Sequence, residues 1–339
     1  MTGGIAMPDP GTSRWPYYNR PSAERAFARC EGMLRGRRVL VTGATGFLGA
    51  HLVRRLTVLG AETHALSRST RRVAGHLTTH VADLSDSDMA ADVVRSIRPE
   101  IVFHLAGKAS GARDVQTVLD TVTDNVRSTV GLLRAVALAG APRVVLAGSM
   151  EEPAPGEHAS SPYALSKWTA ARYAELFQDL WSVPTVRLRI AMTYGPDQPD
   201  ERKLVPYVIT SLLRGVEPQL SSGRRQIDWV YVDDVVDAFI AAASVPDAAG
   251  RTIDIGSGSA VDIRRIVDLI GWLINTNVEP RFGALADRLL DSARIADLSA
   301  AREVLGWRSA VGLEDGLRRT VAWYRDRPRS HQPPQRVVQ

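Results

Sequence analysis

A chain of 339 residues, 45% of them hydrophobic, can bury one large α/β body with a smaller lobe, and its apolar runs fall short of a membrane span. The net charge of +5 comes from arginines scattered among carboxylates, which reads as a solvated surface with some basic positions for phosphates and not as a nucleic-acid face. A single cysteine, Cys30, excludes an internal disulfide and a thiolate metal cage, the seven histidines lack ligand spacing, and no secretory pattern opens the chain, so a metal-free cytoplasmic protein is expected.

Residues 1–36 form an N-terminal extension. Residues 1–13 are small, polar and rich in Pro and Gly, and Arg14-Trp15-Pro16-Tyr17-Tyr18 then concentrates aromatics that either pin the extension to the body or cap a site or interface. Residues 21–34 have helical spacing. Val39, Leu40 and Val41 make a strand too apolar for an exposed face. It breaks into Gly43, Gly46 and Gly49, spaced three apart, and a helix predicted over 47–59 follows. Gly43 can turn the chain, Gly46 lets backbone approach a pyrophosphate, and Gly49 lets the helix pack on the strand. Alone, the triplet is equally an ordinary strand-to-helix turn; the elements that follow favour a dinucleotide site.

A strand over 62–66 ends in Ser67 and Arg68, with Arg71 and Arg72 close behind. No carboxylate stands there to accept hydrogen bonds from a ribose, and hydroxyl plus arginine suits a 2′-phosphate, so NADP(H) is expected, with NAD(H) the alternative. Further strands are predicted over 80–82, 101–105, 143–147 and 185–190, with helices over 86–97, 115–139 and 163–181. The alternation specifies a doubly wound parallel Rossmann sheet. Beyond Tyr194 come a helix over 205–214, a strand over 227–230, a helix over 233–243, a strand over 252–255, a helix over 262–274 and helical spacing over 298–324. The expected division is a dinucleotide-binding domain over 37–195 that also receives 226–256, a substrate-binding lobe from 196–225 and 257–327, and a disordered tail over 328–339.

Tyr163 and Lys167 stand four apart on one helix face. A free phenol titrates too high for acid–base work near neutrality, and an ammonium one turn away favours the phenolate. Ser149, ending a strand at the carboxyl edge of the sheet, would hydrogen-bond the substrate oxygen that Tyr163 protonates or deprotonates.

With these residues the chain resembles an extended short-chain dehydrogenase/reductase of the nucleotide-sugar epimerase/dehydratase/reductase group, over roughly 37 to 326. The stretch from Thr42 through Gly43, Ala44, Thr45, Gly46, Phe47 and Leu48 to Gly49 matches that family's cofactor loop. Asp83-Leu84 resembles its adenine contact, and His104-Leu105-Ala106-Gly107 the stretch lining the nicotinamide side. Asn125 falls where the family has a helix-bending asparagine, and Pro162-Tyr163-Ala164-Leu165-Ser166-Lys167 matches its catalytic helix. Asp228-Trp229-Val230-Tyr231-Val232-Asp233-Asp234-Val235 and Leu305-Gly306-Trp307 match substrate-domain signatures. The resemblance implies hydride transfer at a carbon of a nucleotide sugar, by a homodimer joined through the two long helices.

Departures from the family pattern shape the functional expectation. Dehydratases resemble Thr-Asp-Glu or Thr-Ser-Glu where this chain has Ser149-Met150-Glu151, and the family's following tyrosine and glycine are Pro153 and Ala154. The stretch from Ser149 to Tyr163 is short, as in 4-ketoreductases. Met192 replaces a substrate-binding asparagine and Ile227 a phosphate-binding arginine, so Arg225, Arg288 or Arg294, with Tyr194 nearby, are the substrate candidates. The leading expectation is NADPH-dependent reduction of a nucleotide-activated 4-keto-6-deoxysugar. The alternatives are an epimerase or 4,6-dehydratase with Glu151 as base, and a non-catalytic NADP-binding protein.

Overall fold

The computed structural model describes residues 32–69, 77–287 and 293–327. Strand β1 (Arg38–Thr42) is buried almost throughout, as an apolar run without alternation requires of a central parallel strand. Beside it lie β2 (Glu62–Ser67) and β4 (Ile101–His104), with β3 (Thr78–Val81) at one edge. On the other side follow β5 (Arg143–Ser149), β6 (Thr185–Ile190) and β9 (Thr252–Ile255), giving one seven-stranded sheet in the order β3-β2-β1-β4-β5-β6-β9. Every pairing in it is parallel.

Helices cover both faces. On one, α1 (Phe47–Val58) packs beside α6 (Val232–Ser244), and Leu52, Leu56, Phe103 and Phe239 share a core. On the other, α2 (Ser87–Ile97), α3 (Ser128–Leu138) and α4 (Pro162–Trp181) enclose Val94, Val102, Leu132 and Val144. Val102 and Phe103 thus send successive side chains to opposite cores, the period-two alternation of a strand buried on both sides.

The long helix expected over 115–139 is not continuous. A 3-10 turn (Val115–Thr117), a single α turn (Val118–Thr121) and a π segment (Val122–Arg127) precede α3. Asn125 sits in the π segment, 1% exposed. Its Oδ1 accepts the Lys108 N–H at 2.7 Å, while Nδ2 donates to the Lys108 carbonyl at 3.2 Å and to Ser166 Oγ at 2.8 Å. The widened turn aims Asn125 at the loop after β4 and at α4, a local exception that side-chain periodicity does not report.

A second sheet pairs β7 (Met192–Tyr194), β8 (Gln226–Tyr231) and β10 (Ala260–Asp262) in the order β10-β8-β7. Residues 226–231, expected within the dinucleotide-binding domain, pair here instead, whereas β9 does join the large sheet. Helices α5 (Leu204–Leu213), α7 (Ile263–Ile274) and α9 (Leu313–Asp326) pack on the small sheet around Tyr194, Trp229 and Ile266. The remaining helix, α8 (Ser299–Leu305), packs near β9.

Two acids of the Asp228-to-Val235 stretch are ties between these segments. Asp228 accepts backbone N–H bonds from Ser257, Gly258 and Ala296. The Asp234 carboxylate accepts from Ser309 Oγ and Val311 N, and its carbonyl accepts the Trp307 indole N–H at 2.9 Å. Buried carboxylates that collect several N–H groups fix loop geometry. Among the described residues, no helix is long and apolar enough to cross a membrane, and no group of three His, Cys, Asp or Glu could hold a metal ion.

Candidate active site

The loop after β1 is held by contacts that only glycines permit. Gly43 adopts φ +68°, and a Cβ there would lie 2.7 Å from Ala106 N. At Gly49 a Cβ would lie 2.1 Å from the Gly43 carbonyl oxygen, so loop and helix are in backbone contact. The N-cap of α1 is Gly46, which supplies no side-chain acceptor, and the first turn carries no acid. That end keeps its positive dipole uncompensated and suits a pyrophosphate.

A cavity of about 770 Å³ opens over this loop and runs across the carboxyl edge of the sheet. Gly43, Gly46, Phe47, Leu48, Gly49, Leu105 and Gly107 line one part; Ser149, Glu151, Tyr163 and Lys167 line the middle; Met192, Arg225, Ile227 and Arg294 line the rest. Pairing between β4 and β5 ends at His104 opposite Leu146, so the end of β5 runs on beyond β4 and presents Ser149. Ser161 caps α4 by accepting the Ala164 N–H at 3.1 Å, which sets Tyr163 on the first turn.

Ser149 and Tyr163 turn their side chains to the same cavity, and Ser149 Oγ accepts the Glu151 N–H at 3.1 Å. Lys167 Nζ lies 6.0 Å from the Tyr163 ring centroid and donates to the Ala147 carbonyl at 2.9 Å. Burial, then the Glu151 carboxylate, pushes the Tyr163 phenol above its ordinary value, while the Ser149 hydroxyl pulls it back. Burial brings the Lys167 ammonium down to about 8, with Glu152 opposing. In the protein alone the proton therefore stays on Tyr163. Cationic charge arriving in the cavity beside Tyr163 would favour its release.

Not every residue singled out in the sequence lies on the cavity. Ser67, Asp83 and Leu84 stand at the ends of β2 and β3, and they, Thr45 and Ala106 do not line it. The Ser67 hydroxyl donates to the Ser69 carbonyl at 2.5 Å. Asp83 accepts the Ser85 N–H at 2.9 Å, which with nearby Arg68 and Arg127 holds its carboxyl below the usual range, and Leu84 is core. Arg68 lines an adjoining cavity of about 680 Å³ with Gly107, Lys108, Asp120 and Asp124. There it pairs with Asp124 at 2.6 Å, and Lys108 pairs with Asp120 at 3.0 Å. Tyr194 is a correction: it is 1% exposed, its hydroxyl donates to the Leu313 carbonyl at 3.2 Å, and its ring packs on Trp229 and Tyr231, so it belongs to the second core. Arg294 lines the cavity and is ion-paired with Glu157. Arg288, Arg71, Arg72, the aromatics at 15–18 and the tail lie outside the described residues.

Two buried residues have roles that the sequence reading did not assign. Glu152, next to the cavity-facing Glu151, turns inward; the signal was the doubled acid directly after a strand. His104 bridges Thr42 Oγ1 at 2.8 Å and Thr129 Oγ1 at 2.9 Å, and Thr42 Oγ1 accepts the Ala106 N–H at 3.1 Å. Through these bonds His104 ties β1, β4 and α3 beneath the glycine loop. Burial, then the Lys167 charge, brings its pKa down to about 3. A depressed histidine makes the unfolded chain the better proton binder, so stability is lost as pH falls from about 6.5 towards 3, by about 1.4 kcal/mol per unit inside that window. Urea midpoints between neutral pH and about pH 5 should therefore fall less steeply in His104→Gln than in the wild type.

A parallel sheet with a glycine-loop helix and a Ser–Tyr–Lys constellation at its carboxyl edge defines a nicotinamide-dependent enzyme of the short-chain dehydrogenase/reductase class. The model of the NAD dependent epimerase/dehydratase family matches residues 39–256. A UDP-glucose 4-epimerase of Mycolicibacterium smegmatis is 32% identical over 86% of this chain and 99% of its own length. Among solved structures, the UDP-glucose 4-epimerase of Thermotoga maritima with UDP-glucose is 28% identical, with TM-score 0.78, over 85% of this chain and 98% of that one. MoeE5, in complex with UDP-glucose and NAD, is 32% identical, with TM-score 0.76, over the same shares. The chain belongs to the NAD dependent epimerase/dehydratase family, the extended short-chain dehydrogenase/reductases that act on nucleotide sugars.

Proposed function

We propose that this protein is a nucleotide-sugar 4-epimerase with a uridine diphosphate hexose as substrate and NAD(H) as cofactor. The observation that carries the reading is that Ser149, Tyr163 and Lys167 line one cavity with the glycine loop, while Met150 occupies the position of the dehydratase aspartate. Epimerisation needs one acid–base pair at the sugar C4 oxygen and no second group to expel water. The relatives at 32% identity, a UDP-glucose 4-epimerase and a protein bound to UDP-glucose and NAD, support the nucleotide.

The glycine loop and the bare first turn of α1 would hold the cofactor pyrophosphate, with Lys167 on the nicotinamide ribose. The bound nicotinamide supplies reversible hydride acceptance at C4. Tyr163 takes the proton from the C4 hydroxyl as the ketone forms and returns it when the alcohol is restored. Ser149 hydrogen-bonds the same oxygen in both states, and the Lys167 charge holds the phenolate. Arg225 and Arg294, on the cavity wall remote from the glycine loop, would meet the substrate diphosphate.

Arg68, which the sequence offers to a 2′-phosphate, is already neutralised by Asp124, and Asp120 stands close by on Lys108. A 2′-phosphate would enter beside two carboxylates, which supports NAD(H). Asp124→Asn should raise affinity for NADP(H) relative to NAD(H) about fivefold, roughly the worth of one exposed charge pair, in a fluorescence titration.

The competing reading is reduction of a 4-keto-6-deoxysugar, favoured by Ser67, Arg68 and the short stretch from Ser149 to Tyr163. Incubation with UDP-glucose separates the two. Conversion to UDP-galactose without net change in nicotinamide absorbance supports the epimerase. Stoichiometric NADPH loss with a nucleotide 4-keto-6-deoxysugar, and no epimer from UDP-glucose, would replace it with the reductase.

The protein is further proposed to work as a homodimer. Leu119, Leu176, Leu180 and Trp181 expose 78%, 41%, 63% and 51% of their surfaces along the segment before α3 and along α4. A second copy laid on these helices would cover that stripe. Light scattering should give twice the chain mass, falling to the monomer in Leu180→Asp.

A further inference from the structure

Behind Ser149 lies a charged group that the proposed chemistry does not use. Glu152 is 5% exposed and absent from the cavity wall that Glu151 joins. Its Oε1 accepts the Ser149 backbone N–H at 2.7 Å. Gly148 leaves it room, for a Cβ there would stand 2.7 Å from that oxygen and 3.0 Å from the Leu188 carbonyl. One residue earlier, the Ala147 carbonyl accepts from Lys167 Nζ. Residues two apart in a strand turn their backbone groups to the same edge, and β4 no longer pairs with β5 beyond Leu146. The Ala147 carbonyl and the Ser149 N–H are therefore neighbours on the edge that β4 vacates. An ammonium takes one and a carboxylate the other.

We propose that Glu152 is a positioning residue: the buried counter-ion that keeps Lys167 charged and the clamp that holds the Ser149 backbone so that its hydroxyl faces the cavity beside Tyr163. The charged and titratable groups facing it are Lys167 and Tyr163 from α4 and Arg187 and Arg189 from β6, with Glu151 beside Tyr163. Arg187 already pairs with Glu175 at 2.7 Å and Arg189 with Asp254 at 2.6 Å, which leaves the Glu152 charge chiefly to Lys167. Burial pushes the Glu152 carboxyl up, while the Ser149 N–H and these cations pull it down. Without this carboxylate the buried Lys167 would lose its proton at still lower pH and no longer hold the phenolate. The inference rests on Tyr163 and Lys167 acting as a pair, whichever sugar reaction they serve.

The test is a titration that requires no turnover. Tyrosinate difference absorbance is followed against pH in the NAD-loaded protein, with Tyr163→Phe as the blank, for the wild type, Glu152→Gln and Glu152→Met; either variant that folds by circular dichroism serves. Glu152 is the smallest of the influences on Tyr163 itself, so its direct removal lowers that pKa little. A Lys167 that has shed its proton, by contrast, no longer favours the phenolate, so Tyr163 should titrate about half a unit or more higher in the variants. Turnover should fall further in Glu152→Met than in Glu152→Gln, because only the amide can still accept the Ser149 N–H. A Tyr163 titration that stays in place, or moves downward, overturns the proposal and leaves Glu152 without a hold on the Lys167 charge. A wild type with no tyrosine titrating above the blank overturns the Tyr–Lys reading itself, which is a different result from an unmoved curve.

Discussion

Tyr163→Phe should lower turnover by about 10³-fold while the protein still folds and still binds its cofactor, because only the proton-transferring oxygen is lost. The ring keeps its place on the first turn of α4, and Lys167 keeps its bond to the Ala147 carbonyl. Ser149 Oγ keeps the Glu151 N–H and can still meet the substrate oxygen, so KM should change little beside the fall in kcat. Glu151→Gln is the informative companion. The Glu151 carboxylate pushes the Tyr163 phenol up, so its removal should make the phenolate easier to form and shift the acid limb of the pH–rate profile downward. If Glu151 were the base, the amide would abolish turnover and Tyr163→Phe would not. Steady-state kinetics on the two variants, with cofactor content read from the absorbance of the purified proteins, decides between these patterns.

Gly49→Ala should be the most damaging change in the glycine loop. The added Cβ would lie 2.1 Å from the Gly43 carbonyl oxygen and 2.9 Å from the Ala44 Cα, so α1 must move away from the strand that carries it. Overpacking of this kind costs about 3 kcal/mol or more, and the cofactor cradle deforms with it. Gly46→Ala is the control within the same loop. Its φ is −78°, and its nearest contact for a Cβ is 3.2 Å from the Gly43 oxygen, so the fold should tolerate the methyl group. A thermal melt should fall sharply in the first variant and little in the second, whereas cofactor affinity should fall in both. Equal melting temperatures would mean that Gly49 is not a packing glycine.

The strands of the large sheet were legible because each is a short apolar run bounded by turn residues, and the order of strands and helices allows few topologies. The second sheet was not: β7 and β10 have three residues each, too few for alternation to register, and β8 looked like one more strand of the large sheet. The interruption around Asn125 was hidden for a different reason. Apolar spacing continues through a π turn, and only the partners of one buried amide reveal the change of geometry. At the site, Ser149, Tyr163, Lys167 and the glycines could be found from spacing, because backbone geometry alone brings them together. The roles of Glu152 and His104 could not, since they rest on burial and partnership; the doubled acid after β5 marks where Glu152 stands but not which way it turns. Tyr194 failed in the opposite direction: an aromatic beside a predicted binding edge proved to be packing.

The small sheet collects its three strands from separate stretches, at 192–194, 226–231 and 260–262, and between the last two the chain returns to the large sheet as β9. No single cut in the chain frees one half from the other. The two halves should therefore melt in one calorimetric transition, and occupancy of the nucleotide-sugar side alone should protect amides of the glycine loop from hydrogen exchange. A protein threaded in this way gains or loses both of its binding surfaces together.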